Sequence, residues 1–482
     1  MLEEIRYVTV AETVSRLSSF VVIPLLTRSL APATFGTYKS IFLAVAVFLI
    51  VKGFVNGGPL LIKHVPEMDE EGRRTLIAGT TVLVAVAVTL GFSLLLGTAM
   101  TILFGRYFAG LEGFFLTNLP IIGAVFALVP AYNHGLKITR ACDEFQLYSA
   151  GKLLREASFT LSIVVLVLTE TITLGTALVA YFVTTAVAVV VLYWSLRRYV
   201  FVRPDFDVVF ECLRHTSLPL APNVVIKRAT SQVPDAVVLA AFGPSVFAAW
   251  AVAFTFNSLF SLISKPLTQV LWPKISQRYA EDAPVGELLT QYYRVTSFIV
   301  VPAVVGATVL GPAIIREVFG PDYLYRSSVV AILVATFGLQ VIDSLSSPIF
   351  VGSDQARYTT YVESGKAVIQ LVFVLIGAFV FGSLAVIALG YLLRMVIGLC
   401  VSLWYQIRTT DLRRPNLTAA GLVLAANVVM GASVFSMGQY VTGPVSLFTA
   451  VGLGVLIYAG ALYGSGALTE QDINLLRQFL RV

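Results

Sequence analysis

Apolar residues in this chain occur in long uninterrupted blocks that are separated by short polar segments. A membrane-spanning helix needs about 20 mostly apolar residues, and the sequence supplies about fourteen such blocks. Transmembrane β-strands would instead show period-2 alternation over about 10 residues. The pattern therefore predicts an all-α polytopic membrane protein and excludes a β-barrel. The blocks centre on residues 8–30, 38–62, 76–104, 113–136, 153–169, 173–195, 216–242, 246–272, 291–315, 327–351, 364–381, 384–405, 417–438 and 442–464.

The composition excludes a soluble enzyme. Of the 482 residues, 57% are hydrophobic and only 12% are charged, whereas a soluble domain has about 25% charged residues. Connecting segments of at most roughly 20 residues leave no room for an ATPase or glycosyltransferase domain. The three cysteines and three histidines are far apart, so we expect no disulfide framework, no metal site and no cofactor.

The positive charges indicate how the chain is oriented. If both termini are cytoplasmic, the inside segments hold 22 basic residues and the outside segments hold five. This bias predicts cytoplasmic termini, and it accounts for the net charge of +6 without nucleic acid as a partner. In this interpretation Lys137, Arg140, Lys152 and Arg155 are charges of an inside loop. The five outside residues are Arg28, Lys39, Arg106, Arg316 and Arg326.

The chain also contains an internal repeat with a nearly constant offset. The repeat predicts an N-lobe at 1–210 with six spans, a C-lobe at 211–410 with six more, and a last part at 411–482 with two spans and a cytoplasmic tail. Two lobes that enter the membrane from the same side are typical of a transporter. The matching positions are Arg16, Pro32, Phe35, Phe126, Leu128, Asp143, Arg155, Tyr181, Trp194 and Arg198 with Arg228, Pro244, Phe247, Phe337, Leu339, Asp354, Lys366, Tyr391, Trp404 and Arg408.

Several charged residues fall inside predicted spans. Each basic residue costs about 2.5–3.5 kcal/mol at the centre of a span, so the set requires water or partners. Positive charge is in excess, which predicts an aqueous cavity that accepts an anion. The basic residues are Arg16, Lys52, Lys227, Arg228, Lys265 and Arg394. The acidic residues, which are also candidates for ion coupling, are Glu12, Asp235 and Asp343.

Polar stripes accompany these charges in helices 1, 2, 7 and 8, which occupy equivalent places in the two repeats and can therefore line one cavity. The amide and hydroxyl residues that we expect to face a sugar are Asn56, Gln232, Asn257, Ser261 and Gln269. Structural roles remain an alternative at some positions. Arg16 with Glu12 and Arg228 with Asp235 also fit ion pairs that only lock helices, and Asp343 also fits a neutralising partner of a neighbouring cation.

Two segments, Pro24-Leu-Leu-Thr-Arg-Ser-Leu30 and Ala31-Pro-Ala-Thr-Phe-Gly-Thr-Tyr38, resemble the multidrug/oligosaccharidyl-lipid/polysaccharide (MOP) flippase superfamily. The internal echo Phe242-Gly-Pro-Ser-Val-Phe-Ala-Ala-Trp250 and the plan of six, six and two spans add to this resemblance. Within the superfamily the chain is most similar to polysaccharide-unit (O-antigen type) flippases. The resemblance implies alternating access between two six-helix lobes. It further implies transport of a polyprenyl-(di)phosphate-linked oligosaccharide across the cytoplasmic membrane, for polysaccharide or glycoprotein-glycan biosynthesis.

The same resemblance implies a role for Arg16, Lys52 and Lys265, which stand where related flippases of lipid-linked peptidoglycan precursors hold a diphosphate. Two of these residues are Lys, and Lys lacks the bidentate geometry of Arg. The two last helices would form a lateral groove for the lipid tail. Expected partners are the lipid-linked glycan, membrane lipids and glycan-assembly enzymes, with the protein a monomer. The alternative is a cation-coupled multidrug (MATE-like) antiporter, but a basic cavity favours the flippase.

Overall fold

The computed structural model of the protein describes residues 2–51, 57–99, 112–281, 283–352, 356–410, 417–466 and 472. Within these residues the chain is helical and contains no strand, so the predicted all-α fold is confirmed. The first helices are α1 (Leu2–Ser29), α2 (Pro32–Val51), α3 (Gly57–His64), α4 (Glu70–Ala99), α5 (Glu112–Ala141), α6 (Phe145–Leu168), α7 (Leu174–Ser195), α8 (Arg197–Val200) and α9 (Phe206–Cys212).

The remaining helices follow after a short π-helical turn, Leu213–Ser217. They are α10 (Leu218–Ala280), α11 (Gly286–Val309), α12 (Gly311–Ile314), α13 (Ser327–Asp343), α14 (Ser347–Gly352), α15 (Ala356–Leu375), α16 (Leu384–Thr409), α17 (Leu417–Gly438) and α18 (Pro444–Gly464). Further irregular turns are Ile315–Phe319, Pro321–Arg326 and Ile376–Val380.

Eleven of the described helical segments are long and apolar enough to cross a membrane. One of them, Arg228–Lys265, has 38 residues and contains a non-helical residue, so its length supplies two spans. Helices α2 and α6 have 20 and 24 residues and are long enough to cross as well. Counted in this way, the described helices account for the predicted fourteen spans.

Helix α10 turns sharply at Gly243, whose φ of 81° and ψ of 176° divide it into 218–242 and 244–280. A residue with a Cβ is strained at such a positive φ, which explains why glycine stands there. The new helical segment begins at Pro244, where a missing amide hydrogen costs nothing. Gly36 of α2 lies so close to the Pro244 carbonyl that a Cβ would overlap it. The Phe-Gly-Pro sequence therefore sets both the turn and a backbone contact.

The described chain divides into two compact units, Met1–Ala248 and Ala249–Val482, which we call the first and second unit. In the first unit, Leu60, Leu76 and Ile138 belong to a fully buried cluster that joins α3, α4 and α5. In the second unit, α17 and α18 pack on α11 through a cluster that includes Phe298 and Met430. The predicted lobes at 1–210, 211–410 and 411–482 rest on the sequence repeat and stay a prediction.

Candidate functional site

A cavity of about 430 Å³ lies within the first unit, and we call it the cationic cavity. Five of its lining residues are basic and one is a carboxylate. The lining residues come from three helices: the C-terminal part of α5, the N-terminal part of α6, and α10. The lining residues are Pro130, Tyr132, Asn133, Leu136, Lys137, Arg140, Tyr148, Lys152, Arg155, Glu156 and Arg228.

Helical spacing brings most of these side chains to one side. On α5, Asn133, Lys137 and Arg140 follow the i, i+4, i+7 spacing of one helix face. On α6 the same spacing recurs, and both sets lie near the turn between the two helices. Asp143 has a positive φ of 58° in this turn, a conformation that Asp tolerates better than most residues. The α6 residues are Tyr148, Lys152 and Arg155.

Glu12 of α1 reaches three donors of the cationic cavity. Its Oε1 lies 2.6 Å from Lys152 Nζ, accepts a hydrogen bond of 2.7 Å from Tyr148 Oη, and lies 3.5 Å from Arg140 Nη2. The Arg140 guanidinium also lies 4.3 Å from the centre of the Tyr148 ring. A single carboxylate oxygen thus gathers an ammonium, a guanidinium and a phenol from two neighbouring helices.

Arg155 contacts four neighbouring side chains. Its Nη1 lies 2.6 Å from Glu156 Oε1, and both side chains are only 16% exposed. It also donates hydrogen bonds to Tyr181 Oη and to Thr185 Oγ1, the latter at 3.3 Å. The guanidinium lies 4.9 Å from the ring centre of Tyr132. These contacts fix the orientation of its planar, bidentate donor group.

A second cavity of about 220 Å³ shares Arg155 and Glu156 with the cationic cavity, and we call it the aromatic cavity. Phe42 and Phe159 hold the ring of Tyr181, with ring centres 4.6 and 5.3 Å away. The other residues that line it are Ser18, Ser19, Val22, Ile23, Leu26, Tyr38 and Lys39. The aromatic cavity thus combines hydroxyl groups with aromatic rings.

The electrostatic balance of the cationic cavity is positive, because five basic side chains meet two carboxylates, Glu156 and Glu12. Ammonium, guanidinium and phenol donors are the groups that bind phosphate oxygens through charge-assisted hydrogen bonds. Among the described residues no group of three or more His, Cys, Asp or Glu could hold a metal ion. The arrangement therefore suits the binding of an anion.

The second unit contains a polar cluster of different balance, which we call the balanced cluster. Lys366 Nζ lies 2.6 Å from Asp343 Oδ2 and 2.8 Å from Glu363 Oε1, and Lys366 is 4% exposed. Arg394 donates a hydrogen bond to Gln370 Oε1, and its guanidinium carbon lies 4.9 Å from the ring centre of Tyr391. Two cations and two carboxylates thus make up the balanced cluster.

Beside this cluster, the Tyr293 hydroxyl donates a hydrogen bond of 2.9 Å to Gln406 Oε1. The Gln406 amide in turn donates one of 2.9 Å to Ser346 Oγ. Ser346 lies in the break between α13 and α14, so these bonds tie α11 and α16 to that break. Broken helices inside a membrane need such partners for their freed polar groups.

The structure places the predicted site residues in several regions. Arg228 lines the cationic cavity, and Glu12 pairs with two of its cations. Arg16 is half-buried on α1, one turn beyond Glu12, and Asp235 is half-buried on α10. Gln232, also on α10, donates a hydrogen bond of 3.0 Å to Ser231 Oγ.

The other predicted residues are divided between the second unit and undescribed parts of the chain. Lys265, Asn257 and Ser261 lie on α10 within the second unit, where Lys265 is exposed. Asp343 and Arg394 belong to the balanced cluster. Lys52 and Asn56 lie outside the described residues, as do the side chains of Lys227 and Gln269.

The interpretation of Lys137, Arg140, Lys152 and Arg155 as loop charges is wrong. All four lie on helices and line the cationic cavity. The cause is that charged residues lower the hydropathy of the first turns of α6, and the helix begins at Phe145 rather than near 153. The i, i+4, i+7 spacing of the polar residues from 148 to 155 is the signal that would have shown a helix face.

Lys39, which the sequence predicts to lie in an outside segment, is half-buried on α2 and lines the aromatic cavity. Its position on the outside stays a prediction. Its ammonium lies 5.6 Å from the ring centre of Phe35. Short polar stretches between apolar blocks thus contain helix turns that belong to the site.

Comparison with known proteins identifies a family. A family model described as "Polysaccharide biosynthesis protein" matches residues 25–328, more than half of the chain. No sequence match to a curated protein is found.

Solved structures share the fold. "Lipid II flippase MurJ, inward closed conformation" matches with a TM-score of 0.71 at 12% identity, over 94% of this chain and 97% of that chain. An inward-facing multidrug resistance MATE family transporter of the MOP superfamily matches with 0.63 at 16% identity, over 82% and 94%. A MOP superfamily transporter from Pyrococcus furiosus matches with 0.50 at 14% identity, over 84% and 97%. At these identities the likeness shows the fold alone.

Proposed function

The chain belongs to the polysaccharide biosynthesis protein family of the MOP superfamily, and from this premise we propose that it flips a polyprenyl-(di)phosphate-linked oligosaccharide. It is a multi-pass membrane transporter rather than an enzyme. In the proposed reaction the glycan lipid passes from the inner to the outer leaflet of the cytoplasmic membrane by alternating access. The product would serve polysaccharide or glycoprotein-glycan biosynthesis.

The observation that carries this proposal is the excess of positive charge around the cationic cavity. Five cations within helices of a membrane protein are costly unless they have a function or partners. A phosphate or diphosphate supplies the missing negative charge and several acceptor oxygens. Arg155 and Arg140 suit bidentate contacts with such a group, whereas Lys137 and Lys152 act as point charges.

The aromatic cavity supports the presence of a sugar beside the phosphate. In a lipid-linked oligosaccharide the first sugar is bonded directly to the phosphate group, so its binding site must adjoin the phosphate site. The two cavities share Arg155 and Glu156, which meets this requirement. Aromatic rings, among them Phe42, and the Ser19 hydroxyl line this cavity, so we assign the first sugar to the aromatic cavity.

The membrane potential can drive such a step, because moving one charge across 100 mV is worth about 2.3 kcal/mol. With the cytoplasm negative, an anionic lipid head group moves outward down its electrical gradient. Coupling to an ion gradient is the other source of energy. Glu12, Asp235 and Asp343 remain the carboxylates predicted for such coupling.

The remaining predictions complete the proposal. Both termini face the cytoplasm, and the protein acts as a monomer with glycan-assembly enzymes as partners. Even without the four cations that lie on helices rather than in a loop, the count leaves 18 inside basic residues against five outside, so the positive-inside bias persists. The other predicted cations, among them Arg16, Lys52, Lys227, Lys265 and Arg394, stay candidates for further contacts with the anion.

The second candidate function is a cation-coupled multidrug antiporter, since a MATE transporter has the same fold. An organic cation would meet five positive side chains in the cationic cavity and would be repelled. The charge balance therefore favours the flippase.

Native mass spectrometry of the gently purified protein tests the proposal. We expect a co-purified polyprenyl-(di)phosphate saccharide, and we expect the double variant Lys152→Met/Arg228→Met to lose it. The matched control is Arg198→Met, which removes a cation that is 56% exposed and pairs with Glu144 outside the cavity. A bound organic cation that sodium or protons displace would overturn the flippase in favour of the antiporter.

A further inference from the structure

The Glu12 carboxylate contacts side chains that could also donate to a phosphate. Its Oε1 alone lies 2.6 Å from Lys152 Nζ, 2.7 Å from Tyr148 Oη and 3.5 Å from Arg140 Nη2. All three donor side chains also line the cationic cavity. A carboxylate and a phosphate present similar anionic oxygens to such donors, and the two cannot use the same hydrogen bonds at the same time.

Glu12 belongs to a different helix from the donors that it contacts. It lies on α1, whereas Tyr148 and Lys152 lie on α6, and α1 packs lengthwise against α6. A second polar contact between the two helices follows six residues later, where Ser18 Oγ donates a hydrogen bond of 3.2 Å to the Glu156 carbonyl. The Glu12 cluster therefore ties the N-terminal part of α1 to the wall of the cavity.

We infer that Glu12 is an internal competitor of the substrate phosphate, which occupies its donors in the empty protein and is displaced when the phosphate binds. This inference rests on the proposed function. Displacement frees the first part of α1 from α6, so occupancy of the cavity is converted into a movement of a helix. The return of Glu12 to the same donors then expels the phosphate, which prevents a multiply charged ligand from remaining bound after transport.

Competition lowers the apparent affinity by the fraction of protein in which the donors are free. Glu12→Gln removes the charge and keeps the shape, so we expect it to bind inorganic pyrophosphate about tenfold more tightly than the wild type. Glu12→Asp keeps the charge but is one methylene shorter and loses reach, so it should also bind more tightly. Isothermal titration calorimetry on the full chain in nanodiscs measures these affinities.

Glu12→Asp distinguishes direct competition for the donors from an effect of the Glu12 charge on the electric field of the cavity. If Glu12 acted only through its charge at a distance, Glu12→Asp would bind pyrophosphate like the wild type, and that result would overturn the inference. The control is Glu144→Gln, which removes a carboxylate that pairs with Arg198 at 2.9 Å outside the cavity. We expect this control to keep the wild-type affinity.

A distance measurement tests the movement of α1. Spin labels at Thr13→Cys on α1 and Ala157→Cys on α6, both exposed positions, report the separation of the helices after Cys142, Cys212 and Cys400 are replaced by serine. Pyrophosphate should lengthen the distance in an otherwise wild-type chain. In Glu12→Gln the longer distance should already be present without the ligand.

The outcomes distinguish this inference from the proposed function. If the wild type binds pyrophosphate but neither the distance nor the Glu12 variants respond as expected, only the competitor role is contradicted. If the wild type does not bind pyrophosphate, the phosphate role of the cationic cavity fails, and the inference fails with it. A weaker affinity in Glu12→Gln would mark Glu12 as a structural partner of Lys152 and would equally contradict the inference.

Discussion

In the first unit Arg155 and four other basic side chains line an open cavity, whereas in the second unit Lys366 is enclosed by two carboxylates. The sequence repeat aligns Arg155 with Lys366 and Tyr181 with Tyr391. In the first unit one residue, Arg155, does both tasks: it pairs with a carboxylate and it covers the tyrosine ring. In the second unit these two tasks are divided between Lys366 and Arg394.

The difference shows that related positions can carry cations for opposite reasons. Two carboxylates contact the Lys366 ammonium. The cost of burying its charge is therefore compensated within the protein. Around Arg155 five cations meet two carboxylates, and in the proposed function this excess of positive charge binds an anion. We therefore expect changes around Arg155 to affect anion binding and a change at Lys366 to affect stability.

The largest expected effect follows from Arg155→Met. Loss of the guanidinium leaves the half-buried Glu156 carboxylate without its partner, which should lower the free energy of unfolding by about 3–5 kcal/mol. Pyrophosphate binding and glycan export should be lost as well. Adding Glu156→Gln should restore most of the stability, measured by thermal unfolding in detergent, but not binding. Restored binding in this double variant would contradict a direct role for Arg155.

Lys366→Met tests the other side of the comparison. It leaves Asp343, which is 11% exposed, and Glu363 without the ammonium that contacts both of them, so we expect about 3 kcal/mol of destabilisation. Pyrophosphate affinity should stay at the wild-type value. The double variant Lys366→Met/Asp343→Asn should regain both stability and export. If export stays lost although the protein folds, Asp343 carries out the coupling role that the sequence predicts for it.

Arg228→Gln sharpens the comparison on the side of the cavity. Arg228 is the basic residue that was predicted from the sequence and that also lines the cationic cavity. Removing one charged hydrogen-bond donor is worth about 1.5–3 kcal/mol, so pyrophosphate should bind at least about tenfold more weakly. Titration calorimetry measures this change, with the exposed Arg214→Gln as control. Equal affinities in both variants would exclude Arg228 from the anion site.

The smallest expected effect is on the free energy of unfolding, at two positions that the sequence repeat aligns, Gly36 and Ala248. Gly36→Ala places a Cβ against the Pro244 carbonyl and should cost about 1–3 kcal/mol through overpacking. Ala248→Gly should cost about 1 kcal/mol, from helix propensity. Thermal unfolding compares the two variants. A harmless Gly36→Ala would show that the backbone contact at the Gly243 turn is not needed.

The apolar pattern predicted the helices well where spans carry few charges, as in α7 and α16. It failed at the start of α6, because Lys152, Arg155 and Glu156 lower the hydropathy of a segment that is nevertheless helical. A hydropathy average cannot distinguish a charged loop from a helix whose charges face a cavity. The helical spacing of the charged residues contains that information, but only in combination with the position of neighbouring helices.

The sequence by itself determined the fold class, since long apolar blocks can satisfy their backbone polar groups in a membrane only as helices. It also determined the excess of positive charge. Only the tertiary structure decided which charged and polar groups meet: Glu12 and Tyr148 are 136 residues apart, yet they share a hydrogen bond. Charge interactions depend on distance and burial, and both arise from packing that no local pattern specifies.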